Sequence, residues 1–221
     1  MSEHAAEGVV SDERRVGEMT SGLAYANVPI YRLIMRLLYR AEYDRKYQAV
    51  ADLIPPSASV VDLCAGDCML AEKLPGHASR YLGLEINARF VAWAHRRGIN
   101  ARSFDARADE IPPADVVCIQ SSLYQFIPTE DEIIGRMIDS ARDLVIISEP
   151  VVNLTSSQNS SISRLATRWT AVNGVTFPNR HTLESLTELL RRIAPRSELV
   201  ERQRRDAIFV IRKEPPEDSL P

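Results

Sequence analysis

Short apolar runs alternate with helical patterns through the middle of the chain. The helical stretches between the runs are CMLAEKL (68–74), ARFVAWAHRRG (88–98) and TEDEIIGRMIDSAR (129–142). Parallel strands need a crossover that is usually helical, so this order predicts a parallel sheet with helices on both faces. The predicted strands are SVVDLC (59–64), RYLGLE (80–85), NARSFD (100–105), ADVVCIQ (114–120) and LVIISEP (144–150).

Before the first strand, residues 29–54 predict one mostly buried helix that ends at two prolines. Arg32, Arg36 and Arg40 recur every four residues, which predicts a solvated polar stripe along it. Tyrosine is concentrated in the same segment, where core packing is the first interpretation and ligand contact the alternative. These tyrosines are Tyr25, Tyr31, Tyr39, Tyr43 and Tyr47.

The pattern changes after Pro150. Residues 151–181 are rich in Ser, Thr and Asn and predict a lid insertion with some helix around 162–172. A helix with Thr182 as its N-cap follows, and two strand-like runs within 198–214 predict an antiparallel hairpin. We therefore expect a single domain over 23–214 with a cap helix at 23–54, a flexible tail over 1–22 and another over 215–221.

Composition narrows the functional classes. The chain has 221 residues, 45% hydrophobic and 26% charged, which is typical of a globular domain. A net charge of −3 and a pI of about 5.9 argue against a nucleic-acid partner. The absence of a signal-peptide pattern or a long apolar run predicts no membrane partner and a cytoplasmic location. The three cysteines suit a reducing compartment, and their C-x3-C spacing without a nearby histidine predicts no metal site.

Candidate chemistry is concentrated where the predicted strands end. Asp62 is followed by a tight turn through Gly66, and Asp67 is placed to cap the next helix, whose first amides could hold an anionic group. Glu85 follows Asp62 by 23 residues, the spacing at which an acid binds the ribose of a nucleotide-like ligand. Asp105 lies a further 20 residues on. We expect the three strand-end acids to share one edge of the sheet.

These motifs resemble the class I S-adenosylmethionine (SAM) dependent methyltransferases, in particular bacterial members that act on small molecules. The resemblance covers about residues 57–150. It implies an α/β fold with a Rossmann-like, seven-stranded, mostly parallel sheet that a C-terminal antiparallel hairpin completes, with helices on both faces. The matching segments are DLCAGDC (62–68), GLEIN (83–87), FDA (104–106) with EIP (110–112), and ADVV (114–117).

The resemblance implies SAM as the cofactor and assigns its contacts residue by residue. Asp62 and Gly66 would hold the amino-acid part and Glu85 the ribose. The remaining cofactor candidates are Asp105 and Ala106 on the adenine side, Gln120 and Ser121 beneath, and Cys64 and Asn87. The tyrosine-rich helix and the lid would form the pocket for a small-molecule acceptor, methylated on oxygen or nitrogen. The candidates for a general base are His181, Glu149 and Tyr124.

The glycine-rich turn departs from the family pattern. Cys64 and Cys68 stand where glycine is usual, and because cysteine has a Cβ we expect neither to adopt positive φ readily. The backbone would then approach the cofactor less closely. This leaves open, as an alternative function, a methyltransferase-fold protein that no longer transfers methyl groups, such as a cyclase or a binding scaffold. A dinucleotide-binding function is disfavoured because G-x-G-x-x-G is absent.

Overall fold

The computed structural model describes residues 27–39, 41–74, 76, 80–151, 180–202 and 206–213. The two predicted tails and nearly all of the predicted lid lie outside these ranges, as does Tyr25. Within them, no helix is long and apolar enough to cross a membrane.

One mixed sheet forms the centre of the described structure. Its strands are β1 (Val60–Leu63), β2 (Tyr81–Glu85), β3 (Ala101–Ser103), β4 (Ala114–Gln120), β5 (Ala141–Pro150), β6 (Glu198–Arg202) and β7 (Asp206–Arg212). The spatial order is β3-β2-β1-β4-β5-β7-β6. Strands β1 to β5 are parallel, and β7 runs antiparallel between β5 and β6. The Rossmann-like sheet with a C-terminal hairpin is therefore confirmed.

Helices cover both faces of the sheet and bury a separate apolar cluster on each. They are α1 (Val28–Tyr39), α2 (Ala41–Ala51), α3 (Met69–Lys73), α4 (Ala88–Arg96), α5 (Glu130–Ser140) and α6 (Leu183–Ile193), with a 3₁₀ turn at Leu123–Phe126. Side chains alternate along each strand, so Val60 and Ile146 pack toward α2, α3 and α4, whereas Val61 and Ile147 pack toward α5 and α6. Burying each such side chain contributes about 1.5–3 kcal/mol.

The N-terminal segment differs from its prediction in two ways. It forms two helices instead of one: Tyr31 on α1 packs edge-to-face on Phe90 of α4, whereas Tyr43 and Tyr47 on α2 pack into the cluster over the sheet. The prediction of a solvated arginine stripe is wrong at Arg32, which is 7% exposed because it forms ion pairs with Asp67 and with Glu72 of α3. Arg36 is exposed as expected.

Two further expectations meet different outcomes. The third strand ends at Ser103 instead of residue 105, because the Asp105 side chain accepts the Arg107 N–H and its own N–H donates to Asp109. Thr182 is confirmed as the N-cap of α6, where it forms a capping box with Ser185.

Candidate functional site

The turn after β1 adopts the left-handed conformation at three positions. Cys64, Gly66 and Cys68 have φ values of 56°, 55° and 54°. The expectation that the two cysteines avoid positive φ is therefore wrong. L-residues can occupy this region at a cost of roughly 1–2 kcal/mol each. Backbone bonds within and beside the turn offset this cost, from Ala65 N–H to Leu84 and from Cys68 N–H to Ala65.

Cys68 fills a space that Gly83 leaves open on β2. A Cβ placed on Gly83 would lie 2.9 Å from Cys68 Sγ, closer than packed atoms approach each other. The larger residue in the turn is thus matched by the absence of a side chain on the neighbouring strand. The three cysteines are free, and Cys68 and Cys118 are buried, in line with their interpretation as small core residues.

Asp67 does not cap the following helix. Cys68 occupies the N-cap position of α3 and makes no side-chain capping bond. The Asp67 carboxylate instead accepts the Tyr43 hydroxyl at 3.1 Å and lies 3.4 Å from Arg32 Nε. Its predicted role is therefore wrong, because two side chains from the N-terminal helices compete successfully for its oxygens.

Asp62 lies on the face of the sheet that packs against α2, α3 and α4. Its carboxylate accepts the Tyr81 hydroxyl at 2.8 Å and contacts Cys118 Sγ at 3.6 Å. Burial raises the pKa of Asp62 to about 7. The carboxylate already has partners within the protein, and its predicted contact with the cofactor stays a prediction.

Glu85 joins the turn to the end of β2. Its carboxylate accepts the Gly66 N–H at 2.8 Å and the Asn87 N–H at 2.8 Å. Burial raises the pKa of Glu85, and backbone hydrogen bonds from Asn87, Gly66 and Ile86 oppose that rise. The Asn87 side chain caps α4 by accepting the Arg89 N–H at 3.0 Å. The structure therefore brings Glu85 and Gly66 together, as the motif comparison predicts for a cofactor site.

The predicted adenine-side residues follow β3. Asp105 is half-buried, and the Ala106 side chain packs in the core while its carbonyl accepts Arg136 Nη1 at 2.6 Å. Arg107 extends over the Phe126 ring, 4.7 Å from its centroid. This segment thus contacts the 3₁₀ turn after β4. Binding of adenine here stays a prediction.

The ends of β4 and β5 carry buried polar groups. The Ser148 hydroxyl is buried and makes no hydrogen bond to any described residue. The Gln120 amide is also buried, and it interacts with the Asp62 carboxylate and lowers the pKa of that group. Gln120 and Ser148 are neighbours in register. Ser121 follows in the left-handed region with φ 53°, and its N–H donates to the Ser148 carbonyl at 2.7 Å. Such unsatisfied buried groups are costly, which indicates a place for a polar ligand.

Lys46, which the motif comparison missed, lies beside this edge. It is 1% exposed, and its ammonium donates to Ser121 Oγ at 2.8 Å and lies 5.0 Å from the centre of the Tyr47 ring. Burial lowers the pKa of Lys46, while nearby carboxylates oppose that shift, Asp206 most strongly. Asp206 is also buried and stands opposite Pro150 at the start of β7.

A signal for Lys46 was present in the sequence. Tyr43, Lys46, Tyr47 and Val50 follow the i, i+3, i+4, i+7 spacing of one helix face, and the other three residues are apolar or aromatic. A lysine in the middle of such a face is placed toward the core. Asp206 gave a similar signal, because it opens the apolar run AIFVI.

The three predicted catalytic residues come from different segments, and the Glu149 charge is one of those that raise the pKa of Lys46. Glu149 is fully buried and accepts the N–H groups of Leu123 and Tyr124 at 3.1 and 3.3 Å, and burial raises its pKa to about 8. The Tyr124 ring stacks under Arg180, at 3.3 Å from ring centre to guanidinium, and burial raises the Tyr124 pKa.

His181 precedes α6, with Nε2 buried and without a described partner, and burial lowers its pKa. Glu149 alternates with Ser148 along β5 and therefore points to the opposite face of the sheet from the Gln120 and Ser148 side chains.

Known structures share this architecture. One is a SAM-dependent methyltransferase from Thermotoga maritima, with TM-score 0.60, 15% identity and coverage of 85% of this chain and 96% of that one. A second is the SAM-bound magnesium protoporphyrin IX methyltransferase of Synechocystis, with TM-score 0.56, 13% identity and coverage of 81% and 84%. A third is an O-methyltransferase family 2 protein from Planctomyces limnophilus in complex with apigenin, with TM-score 0.55, 13% identity and coverage of 83% and 60%.

No protein-family model matches the sequence, and no curated protein matches it. The chain spans 60% of the length of the Planctomyces protein. The shared architecture, together with the strand order, defines the fold: the chain has the class I SAM-dependent methyltransferase fold.

Proposed function

We propose that this chain is a SAM-dependent methyltransferase that methylates a small-molecule acceptor on oxygen or nitrogen, as in the tailoring of a natural product or a sugar. One observation carries the proposal. The left-handed turn after β1 is bonded through Gly66 to the buried carboxylate of Glu85, in a sheet of methyltransferase topology. The fold alone hosts other activities, so the argument depends on the residues at this turn.

The residues at the carboxyl edge fit SAM in shape and chemistry. A Cβ built on Gly66 meets nothing within 4 Å, so the space beside the backbone is open to a ligand. The Glu85 oxygens keep lone pairs for ribose hydroxyls beyond the two N–H groups they already accept. The Gln120 amide is buried at the end of β4, and we assign it with Ser121 to the floor beneath the cofactor. We assign Asp62, Cys64 and Gly66 to the amino-acid part, Glu85 and Asn87 to the ribose, and Asp105 and Ala106 to the adenine side.

The acceptor is assigned to the edge formed by β5 and β7. The cofactor candidates occupy the ends of β1 and β2, the segment after β3 and, with Gln120 and Ser121, the end of β4, which leaves the remaining part of the carboxyl edge for a second ligand. Lys46, Ser148 and Asp206 are buried there and can orient a hydroxyl or amine group. SAM supplies an electrophilic methyl group when bound, and the protein has to align the acceptor and exclude water.

Proton removal from the acceptor has four candidates. Glu149, Tyr124 and His181 remain from the sequence, and Asp206 joins them because it lies at the acceptor edge. Glu149 holds the segment after β4 through two backbone bonds, which favours a positioning role for this residue over a direct one.

The free cysteines suit a reducing compartment, so we propose a cytoplasmic location for the protein.

Two measurements test the proposal. Titration calorimetry with SAM and with S-adenosylhomocysteine (SAH) should detect binding to the 221-residue chain, and the Glu85→Ala variant should bind far more weakly. Mass spectrometry of a panel of hydroxyl and amine acceptors incubated with SAM should then reveal a methylated product. Binding without transfer to any acceptor would favour the alternative, a cyclase or binding scaffold. Absence of binding by both ligands would reject the proposal.

A further inference from the structure

Asp67, next to the open glycine of the turn, is held by both N-terminal helices. Tyr43 of α2 donates its hydroxyl to Asp67 Oδ2 at 3.1 Å, and Arg32 Nε of α1 lies 3.4 Å from the same oxygen. The Asp67 side chain is only 2% exposed, so water does not replace these partners. A buried carboxylate that loses a partner is strongly disfavoured. The position of Asp67 therefore depends on α1 and α2.

Arg32 is fixed in its own right. Its guanidinium donates two bonds to Glu72 on α3, at 2.7 and 2.9 Å, and contacts Met69 Sδ at 3.2 Å. A two-pronged guanidinium–carboxylate pair fixes orientation as well as distance. Because α3 starts directly after the turn, α1 is bonded both to the turn and to the helix that leaves it.

The turn requires such support because two of its left-handed residues are cysteines. Glycine adopts positive φ without a steric penalty, whereas the Cβ of Cys64 or Cys68 crowds the neighbouring carbonyl. Strained backbone of this kind persists only where the surrounding contacts determine it. On the other side of the turn, Glu85 supplies one such contact through the Gly66 N–H.

We propose that Arg32 and Tyr43 are positioning residues for the cofactor: they hold Asp67, and thereby keep the cysteine-containing turn in the left-handed conformation that leaves Gly66 open to the ligand. The identity of that ligand as SAM rests on the proposed function. A turn with glycine at positions 64 and 68 would have no need of this support, because glycine carries no Cβ penalty.

The test measures SAH binding by calorimetry to the unmodified 221-residue chain and to Tyr43→Phe. Tyr43→Phe removes one bond to a buried carboxylate and should weaken SAH binding roughly tenfold. Asp44→Asn is the matched control: Asp44 pairs with Lys73 at 3.0 Å, which joins the same two helices, α2 and α3, without touching the turn. This control should bind SAH as the unmodified chain does.

A rescue experiment separates positioning from a general loss of packing. Adding Cys64→Gly to Tyr43→Phe should restore most of the lost affinity, because glycine holds the left-handed conformation unaided. Equal SAH affinity of Tyr43→Phe and the unmodified chain, or a loss that Cys64→Gly does not reduce, would overturn the proposal.

Hydrogen exchange gives a readout that needs no ligand. The amides of residues 65–68 should exchange faster in Tyr43→Phe than in Asp44→Asn, with unchanged exchange in the strands. If the unmodified chain binds no SAH, the proposed function fails, and exchange still decides on the role of Tyr43. Equal exchange at the turn in the two variants would then refute it.

Discussion

The two halves of the carboxyl edge differ in how their buried polar groups are satisfied. Around β1 and β2, each buried carboxylate has partners in the protein: Asp62 has Tyr81, Asp67 has Tyr43 and Arg32, and Glu85 has two backbone N–H groups. Around β4 and β5, Glu149 also has two backbone N–H groups, but the Ser148 hydroxyl has no partner among the described residues.

In the half around β1 and β2, which we call the prearranged half, the buried carboxylates are already held by protein partners. In the half around β4 and β5, a buried hydroxyl still lacks one within the described ranges. Prearranged donors and acceptors bind a ligand with little reorganisation, which suits a cofactor of constant structure. Unpartnered groups lower the stability of the empty protein and recover that energy when a polar ligand arrives. We infer that mutations in the first half should affect stability and cofactor binding together, whereas mutations in the second should affect mainly the acceptor.

The largest effect is expected from Gly66→Val in the prearranged half. A β-branched residue is strongly disfavoured at φ 55°, and its side chain would fill the open space beside the turn. We expect SAH binding to fall below detection in calorimetry. Cys64→Ala, which keeps a Cβ at a neighbouring left-handed position, should have a mild effect. Normal SAH binding by Gly66→Val would show that the ligand does not approach this backbone.

Glu85→Ala should weaken SAH binding by roughly a hundredfold, since bonds to a charged carboxylate contribute about 1.5–3 kcal/mol each. Glu85→Gln should lose less, because its amide oxygen still accepts one donor. Calorimetry gives the affinities, with circular dichroism as the check on folding. Glu184→Gln, which removes an exposed charge from α6, serves as the control. Unchanged affinity in both Glu85 variants would end the ribose assignment.

Tyr81→Phe tests whether the buried Asp62 carboxylate depends on its hydrogen-bond partner within the protein. It removes the hydroxyl that donates to Asp62 at 2.8 Å and leaves the weaker contacts with Cys118 and Gln120. We expect the free energy of unfolding in urea to fall by about 1–3 kcal/mol. If the variant is as stable as the unmodified chain, Asp62 finds another partner and the contrast between the two halves weakens.

Much of the fold was predictable because it depends on local pattern. The alternation of apolar runs and helices gave the sheet, and the AIFVI run gave the hairpin strand. The break between α1 and α2 was missed because it depends on which neighbours each half packs against, and helix periodicity contains no such information. The end of β3 was misplaced because a local Asp105 turn competes with strand pairing.

The site was predictable where a motif fixes spacing and missed where distant segments meet. Glu85 and Gly66 are 19 residues apart, and the motif pairs them. Asp67 and Tyr43 are 24 residues apart on elements that no motif links, so Asp67 was misread as a cap. The left-handed cysteines were missed because steric preference was argued for each residue alone, without the contacts that support the turn.

The pH dependence of stability should separate Glu149 from exposed acids. Burial raises the Glu149 pKa to about 8, so the folded chain keeps a proton that the unfolded chain releases. The resulting stability is present at low pH and is lost as the pH rises through about 8. The free energy of unfolding in urea should fall as the pH rises from about 6.5 to 8. We expect this fall to be less steep in Glu149→Gln than in the unmodified chain, by up to ~1.4 kcal/mol per pH unit.

Asp62, with a pKa of about 7, contributes equally to the pH dependence of the unfolding free energy in Glu149→Gln and in the unmodified chain. Its contribution therefore cancels when the two proteins are compared. Lys46 and Asp206 interact electrostatically with Glu149, so Glu149→Gln removes these two interactions together with the Glu149 charge. Glu184→Gln on the exposed face of α6 should leave the slope as it is. Parallel stability curves for Glu149→Gln and the unmodified chain would mean that Glu149 ionises normally.

The smallest effect, and the sharpest contrast, is expected from a pair of serines. Ser148→Ala removes a buried hydroxyl without a described partner, so the unfolding free energy should stay constant or rise by up to about 1 kcal/mol. Ser59→Ala removes a hydroxyl bonded to Asp115 at 2.8 Å and should lower stability by about 1 kcal/mol. Urea unfolding of both variants without ligand gives the comparison. A loss of stability in Ser148→Ala equal to that in Ser59→Ala would show that the β4–β5 edge is satisfied without a ligand, and the acceptor would have to be sought elsewhere on the sheet.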